Sequence, residues 1–322
     1  MPNTKTHNNN YILLIIVALL IAIPTAGFIY FAIQYHSLKA SASELLLTSA
    51  AQWEENGYYD TDYDYYYYYD ASDYLSQDAN ANGDENGLPL EDVPAYQLLY
   101  PQLYLGRDFG QVIETRKTIY LTFDDGPTAL TNNVLNILRD HNVQATFFVV
   151  YRNTAEARAL YQRIVNEGHT LGLHSASHDY RRIYASVESF LSDMARLSDM
   201  LEEVTGVKPE ILRFPGGSIN VFNRMIHREL SAEIQRRGYV YFDWDVSAVD
   251  LSPNATATSV RNNVLNGVYG KDRAIVLMHD TGNAATASAL PGIIEALRES
   301  GYTFATLDRT IRPVRFNYIP EM

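Results

Sequence analysis

Hydrophobic and polar positions follow different patterns in successive parts of the chain. From Tyr11 to Gln34 no residue is charged, and Ile12–Ile23 is wholly aliphatic. A helix of about 20 apolar residues crosses the ~30 Å hydrocarbon core of a bilayer. Residues 11–34 are therefore expected to form a transmembrane anchor behind a short tail, residues 1–10. Tyr11, Phe28, Tyr30, Phe31 and Tyr35 suit the membrane interfaces. A cleaved signal peptide, whose apolar core runs to about 7–15 residues, and a buried core helix are the competing readings. Lys5 and Lys39 flank the run and leave its orientation nearly a tie.

Beyond residue 112, β-branched and aromatic runs alternate with stretches whose apolar residues recur at helical spacing. Strands are expected at Thr118–Phe123, Ala145–Val150, Thr170–His174, Ile211–Phe214, Tyr239–Val246, Ala274–Met278 and Thr303–Leu307. Helices are expected after Leu130 and over Ala155–Glu167, Val187–Val204, Val221–Arg237, Thr258–Tyr269 and Ala289–Ser300. Gly168, Gly206, Gly238 and Gly301 stand where helices should end. This alternation implies an α/β domain, a parallel sheet with helices outside, over residues 112–312, with 313–322 as a C-terminal tail. No glycine-rich dinucleotide fingerprint follows the first strand, so a closed or nearly closed barrel fits better than an open sheet.

Between these regions the pattern is lost. Residues 35–95 contain NGYYDTDYDYYYYYDASD and SQDANANGDENG, without aliphatic periodicity. Repulsion between the acids opposes a packed core, and a solvated, disordered linker is expected. A tyrosine-based sugar-stacking or adhesive segment is the sharper alternative. Residues 96–111 regain apolar character and are expected to pack on the barrel.

Charge sharpens this division. The net charge of the 322 residues is −13, but residues 41–110 alone carry −13, while 1–40 carry +2 and 111–322 carry −2. The acidity thus belongs to the linker region and argues against nucleic acid as a partner. Apolar residues make up 47%, which excludes wholesale disorder. There is no cysteine, so neither a disulfide nor a thiolate metal site can form.

Ionisable residues gather at the expected C-terminal ends of strands, where α/β barrels carry their chemistry. Asp124 and Asp125 follow the first strand, His174 and His178 the third and Arg213 the fourth; an acidic cluster follows the fifth and His279-Asp280 the sixth. Two imidazoles and a carboxylate form a recognised catalytic zinc set. The H-x3-H spacing alone is weak, and the glutamate of the helical zinc motif is missing. Joint placement with Asp125 gives it weight. Adjacent acids before Gly-Pro usually make a solvated turn; with one carboxylate on a cation, the other is free to act as a base.

These stretches also carry a resemblance. Thr122–Pro127 (TFDDGP), His174–His178 (HSASH), Arg213–Gly217 (RFPGG), Trp244–Asp250 and Leu277–Asp280 (LMHD) come in the order seen in polysaccharide deacetylases of the NodB-homology type, carbohydrate esterase family four, over roughly residues 112–312. The resemblance implies a deformed (β/α)7 barrel, NodB-like. It implies that Asp125, His174 and His178 hold a divalent metal, usually zinc, with cobalt as a substitute. Asp124 would be the general base, Arg213 would keep it ionised, and His279 would be the general acid. The Gly216 N–H would stabilise the oxyanion, and Leu277 would line the pocket for the acetyl methyl. The aspartate that tunes the acid histidine falls on Asp250, followed by Leu251 where the family has tryptophan; Asp243-Trp244 is a competing placement. Many members carry an aromatic residue where this chain has Gly216, so a wider groove is expected. His169 is expected to be structural, His141 and His227 to lie on the surface, and His7 and His36 to flank the anchor.

The implied activity is hydrolysis of N-acetyl groups on a glycan. A membrane tether with a long spacer suggests a cell-wall polymer, most simply the N-acetylglucosamine of peptidoglycan, with the catalytic domain outside the cell membrane. The expected partners are the wall glycan and membrane lipid, with no nucleic acid and no protein partner. The competing readings are a deacetylase or esterase of chitin oligomers or acetylxylan, and a catalytically silent wall-binding module.

Overall fold

A computed structural model of the chain describes residues 94–106, 111–113 and 115–316. The expected anchor at 11–34, nearly all of the expected linker and the tail from residue 317 lie outside the described residues. Among the described residues no helix is long and apolar enough to cross a membrane.

The strands are β1 (Thr118–Asp124), β2 (Thr146–Val150), β3 (Thr170–Ser175), β4 (Ile211–Leu212), β5 (Val240–Tyr241), β6 (Val246–Ser247), β7 (Arg273–His279) and β8 (Thr303–Phe304). They form one parallel sheet in the order β5-β4-β3-β2-β1-β7-β6. β7 pairs with β1 from Thr118 to Asp124. β8 covers the start of β1, at Thr118 and Ile119, where β2 has not yet begun. The helices are α1 (Thr131–Asp140), α2 (Ala155–Asn166), α3 (Tyr180–Ile183), α4 (Val187–Thr205), α5 (His227–Arg236), α6 (Ala257–Val268) and α7 (Ala284–Glu299). The longest, α4, starts at Ser186, whose Oγ accepts the Ser189 N–H at 3.1 Å, and stops at Gly206 with φ 71°.

Alternation along each strand builds two cores. Ile119, Leu121 and Phe123 of β1 face the helices and join the main core with residues such as Leu135, Leu197 and Ile294. Tyr120 faces the other way, into a barrel interior filled by Phe148, Ile211, Phe242, Ile275, Leu307, Ile311 and Val314. By the same alternation Thr122 and Asp124 lie above Tyr120, and Leu277 and His279 above Ile275, so the inner face climbs from apolar packing to ionisable groups.

The expectation of seven strands needs one correction. Tyr239–Val246 is not a single strand: β5 pairs with β4, and β6 pairs with β7 at the opposite edge. Residues 242–245 cross between the edges, with Phe242 N–H donating to Leu212 O at 3.0 Å and Asp245 N–H to Ile275 O at 3.0 Å. The result is a half-barrel whose gap is bridged by the chain itself. The domain boundary at residue 312 is also corrected. Val314 is buried in the interior, and its carbonyl accepts the Asp243 N–H at 2.9 Å. Residues 313–316 thus plug the gap.

Two helix starts move as well. The helix expected from Val221 begins only at His227, because Asn220 Oδ1 accepts the N–H of Phe222 (2.9 Å) and Asn223 (3.2 Å) and holds a turn. The helix expected from Ala289 begins at Ala284, where Asn283 Oδ1 accepts the Ala285 N–H at 2.9 Å.

Residues 95–105 form two short 3-10 turns, Ala95–Leu98 and Pro101–Leu103, against the C-terminal end of α5. The buried Arg237 donates to the carbonyls of Tyr96, Leu99 and Tyr100 at 2.9–3.0 Å and to Glu233 Oε1 at 2.6 Å. Leu105 N–H donates to Arg237 O at 2.9 Å, just before β5 begins.

The interior leaves no room at Gly172 on β3. A Cβ there would lie 2.6 Å from Cδ1 of the buried Phe148 ring. Gly172→Ala is expected to lower stability by about 1–3 kcal/mol through overpacking, read as a lower urea midpoint with an unchanged m-value.

Candidate active site

Asp125, His174 and His178 converge at the upper end of the half-barrel, with one potential ligand atom from each lying within 4.8 Å of the others. Asp125 Oδ1 stands 3.0 Å from His178 Nε2 and 3.3 Å from His174 Nε2. Both loop residues adopt left-handed backbone, Asp125 at φ 72° and His178 at φ 51°. Such strain persists where the surroundings over-determine it, often at functional sites. His174 Nδ1 lies 2.8 Å from the Arg213 carbonyl, which can only accept, so Nδ1 carries a proton and Nε2 faces Asp125.

This donor set fits a divalent cation. Asp125 Oδ1 is buried without a hydrogen-bond donor in bonding geometry. With neutral imidazoles, lone pairs of two nitrogens and one oxygen point at a common space, an arrangement that a cation relieves. Burial opposes ionisation of Asp125, but the two imidazoles outweigh it and hold its carboxyl well below the usual range. Burial likewise disfavours charge on His174, and Asp124 and Asp125 together reverse this, raising its pKa.

Asp124 is held beside this group by Arg213. The guanidinium is wholly buried; Nη1 donates to Asp124 Oδ1 at 2.9 Å and to Thr122 Oγ1 at 2.6 Å, Nε to Phe242 O at 2.9 Å, and Nη2 to Asp243 O at 3.1 Å. Its Cζ lies 4.3 Å from the Phe148 ring centroid, so it rests on the apolar interior. Asp124 Oδ2 is 3.9 Å from His174 Nε2.

His279, at the end of β7, faces Asp250. The carboxylate accepts the ring Nδ1–H at 2.8 Å and the His279 backbone N–H at 2.7 Å, and Thr286 Oγ1 donates to it at 2.8 Å. This leaves His279 Nε2 for a reacting group. Burial disfavours the imidazolium, but Asp250, with smaller contributions from Asp124 and Asp125, raises the His279 pKa overall. Asp243 sits elsewhere: it accepts from Ser218 N–H at 2.8 Å and Phe316 N–H at 2.7 Å, tying the loop after β4 to the C-terminal segment. Burial raises its pKa.

Gly216 lies on that loop with φ 74°, and Leu277 is buried on the inner face of β7. The expected wider groove at Gly216 is corrected, because Tyr180 occupies the space: a Cβ on Gly216 would lie 2.7 Å from Tyr180 Cε1. Tyr180 also meets the His178 ring edge-on, 5.4 Å between centroids. Burial, then the charges of Asp125 and Asp124, push its hydroxyl up to about 12, so it keeps its proton. His169 is buried and neutral; Ala145 N–H donates to its Nδ1, and burial lowers its pKa to about 4. His141 and His227 are partly exposed.

Two supporting acids have no role assigned from the sequence: Asp193 is not singled out there, and Asp280 is named only for its place after the sixth strand. Asp193 of α4 is buried and accepts from Ser175 Oγ (2.6 Å), Ala176 N–H (2.6 Å) and Ser177 N–H (2.9 Å), spanning the turn between His174 and His178. Asp280 accepts from the hydroxyls of Thr128 (2.6 Å) and Thr131, and packs against Gly126. Nothing in the local sequence around Thr128, Thr131 or Asp193 marks these contacts. Only the fold turns them inward.

A family model described as polysaccharide deacetylase matches residues 111–234. YheN of Bacillus subtilis, itself assigned to the polysaccharide deacetylases, is 36% identical over 202 residues, 62% of this chain and 70% of that one. A peptidoglycan-N-acetylglucosamine deacetylase of Bacillus cereus is 32% identical over 207 residues, 62% of this chain and 73% of that one. The crystal structure of the catalytic domain of a peptidoglycan N-acetylglucosamine deacetylase from Eubacterium rectale superposes with a TM-score of 0.61 at 33% identity, over 66% of this chain and 98% of that one. The chain belongs to the polysaccharide deacetylase family, hydrolases that act on N-acetyl groups of glycans.

Asp193 has a direct test. Asp193→Ala leaves three donors in the turn between His174 and His178 unpaired and is expected to weaken binding of a divalent cation there about 10- to 100-fold, as loss of partners behind metal ligands does, measured by competition with a chelating dye. Unchanged affinity would mean that the turn holds its own shape.

Proposed function

We propose that this protein removes N-acetyl groups from a cell-wall polysaccharide, most directly the N-acetylglucosamine of peptidoglycan, releasing acetate. The observation that carries the reading is the pairing of two carboxylates with different partners. Asp125 is given to the imidazole pair, and Asp124 to Arg213. Opposite them stands His279, oriented by Asp250.

Asp125, His174 and His178 would hold the metal, zinc on the chemistry of the His/Asp set. When bound it supplies Lewis-acid polarisation of the acetyl carbonyl and acidifies water. Asp124, kept ionised by Arg213, takes the proton of the attacking water. The Gly216 N–H donates to the oxyanion that develops. Leu277 bounds the space for the acetyl methyl. His279, protonated through its pairing with Asp250, delivers a proton to the departing amine, so acetate and a free amino sugar leave.

The uncharged run at residues 11–34 would serve as a single-pass anchor, with the catalytic domain outside the cell. A protease applied to intact cells should then release the domain. An esterase acting on acetylated xylan is the second reading, favoured by 36% identity over 206 residues to a bifunctional xylanase/deacetylase of Pseudobutyrivibrio xylanivorans. Peptidoglycan fragments and acetylxylan offered side by side separate the two.

Three outcomes are expected. Chelation abolishes acetate release and zinc or cobalt restores it; turnover that survives thorough chelation rules the mechanism out. Asp124→Asn lowers kcat about 100- to 10,000-fold while zinc still binds. Asp250→Asn removes the charge that raises the His279 pKa, so the imidazolium is lost at lower pH and the alkaline limb of the kcat/KM profile moves to lower pH.

A further inference from the structure

Gly216 and Gly217 stand in left-handed backbone one after the other, at φ 74° and 87°. Glycine has many other conformations open to it, so such a turn keeps its shape only if its surroundings hold it. One bond is internal: Gly217 N–H donates to Phe214 O at 2.9 Å. Asn220 Nδ2 donates to the Pro215 and Gly217 carbonyls at 3.1 Å. Two rings close the turn on its outer sides. Tyr180 packs on Gly216, and Phe316 packs on Gly217, where a Cβ would lie 2.6 Å from Phe316 Cε2 and 3.4 Å from Trp244 Cη2. Phe316 and Trp244 meet edge-on, 4.8 Å between centroids. Removing the Phe316 ring therefore leaves the turn room to shift.

Asp243 fixes the exit of the turn. Its carboxylate is fully buried and accepts from Ser218 through both the N–H, at 2.8 Å, and the hydroxyl. The same carboxylate accepts the Phe316 N–H at 2.7 Å. Burying a carboxylate is costly unless it is hydrogen-bonded, so the turn and residue 316 are drawn to one point. The Asp243 main chain is bonded as well, its N–H to Val314 O at 2.9 Å and its carbonyl to Arg213 Nη2 at 3.1 Å.

We propose that Asp243 and Phe316 are positioning residues for the Gly216 N–H, so that residues 313–316, which close the gap of the half-barrel, also aim the oxyanion donor. Neither side chain touches the reacting atoms; both act through the glycine turn. A donor stabilises a transition state only when it points to where charge develops, and a displacement of about 1 Å costs about 100-fold in rate. The inference rests on the deacetylase reading, which gives that N–H its oxyanion.

The test compares Phe316→Ala, Phe316→Leu and the near-isosteric Asp243→Asn, each in the full chain. In Asp243→Asn the amide nitrogen must face the N–H of either Ser218 or Phe316, donor to donor. Phe316→Ala and Asp243→Asn are expected to lower kcat on N-acetylglucosamine oligomers about 10- to 100-fold. KM and zinc affinity should hold, because the lost interaction belongs to the transition state. The kcat/KM profile against pH should fall in height with its limbs in place. Phe316→Leu, which refills the space on Gly217, is expected to recover most of kcat. Hydrogen exchange over residues 214–220, read by mass spectrometry, should quicken about tenfold in Phe316→Ala and Asp243→Asn. Unchanged kcat or unchanged exchange in both variants overturns the proposal. So does a loss of zinc affinity or a rise in KM as large as the fall in kcat, the mark of a fold loosened as a whole. A moved acidic limb also overturns it, by routing the effect through Arg213 and Asp124. A parent chain that releases no acetate sinks the deacetylase reading, and the exchange measurement then decides alone whether Asp243 and Phe316 hold the turn.

Discussion

Arg213 is a full positive charge with no access to water, and everything near it is arranged to tolerate that. Burying a guanidinium is costly unless its donors are all directed at partners. Here they reach one carboxylate, one hydroxyl and two backbone carbonyls, while the flat face rests on Phe148. The two carbonyls belong to Phe242 and Asp243, in the crossing between the sheet's edges. A single side chain thus fastens the first strand to the seam of the half-barrel and positions the Asp124 carboxylate at the same time. Removing either partner of this ion pair leaves the other buried and uncompensated.

Much of this was legible in one dimension. Reading short apolar runs as strands put Asp124, His174 and His279 at C-terminal strand ends, and the structure brings them together there; which face each occupies depends on one residue of register. The family resemblance over Trp244–Asp250 placed the tuning aspartate on Asp250, and the structure puts that residue on His279. Tyr239–Val246 reads as one strand because six of its eight residues are aromatic or β-branched, despite Asp243 and Asp245. What breaks it is contact with Leu212, Val314 and Ile275, none of them local. Asp193 and Tyr180 were invisible for a related reason: each acts on a loop brought beside it by the fold.

The left-handed backbone at Asp125 and His178 belongs to the same logic. Neither residue is glycine, so each conformation has a cost that neighbours must offset. Asp193 bonds the turn that leads to His178, and Asp280 packs beneath the Gly126 that follows Asp125. Ligand geometry is therefore set by buried acids one layer back, before any cation arrives.

The clamp of Arg237 on residues 95–105 has a directional meaning. Helices in this fold run opposite to the strands, so the C-terminal end of α5 lies at the foot of the sheet, where β5 starts, and the ionisable groups lie at the other end. The chain is seized at the foot. The contact is made by a buried arginine and the rim of one helix, away from the strand ends at the mouth. The point where residues 95–105 join the domain and the cluster of ionisable groups thus lie at opposite ends of the sheet.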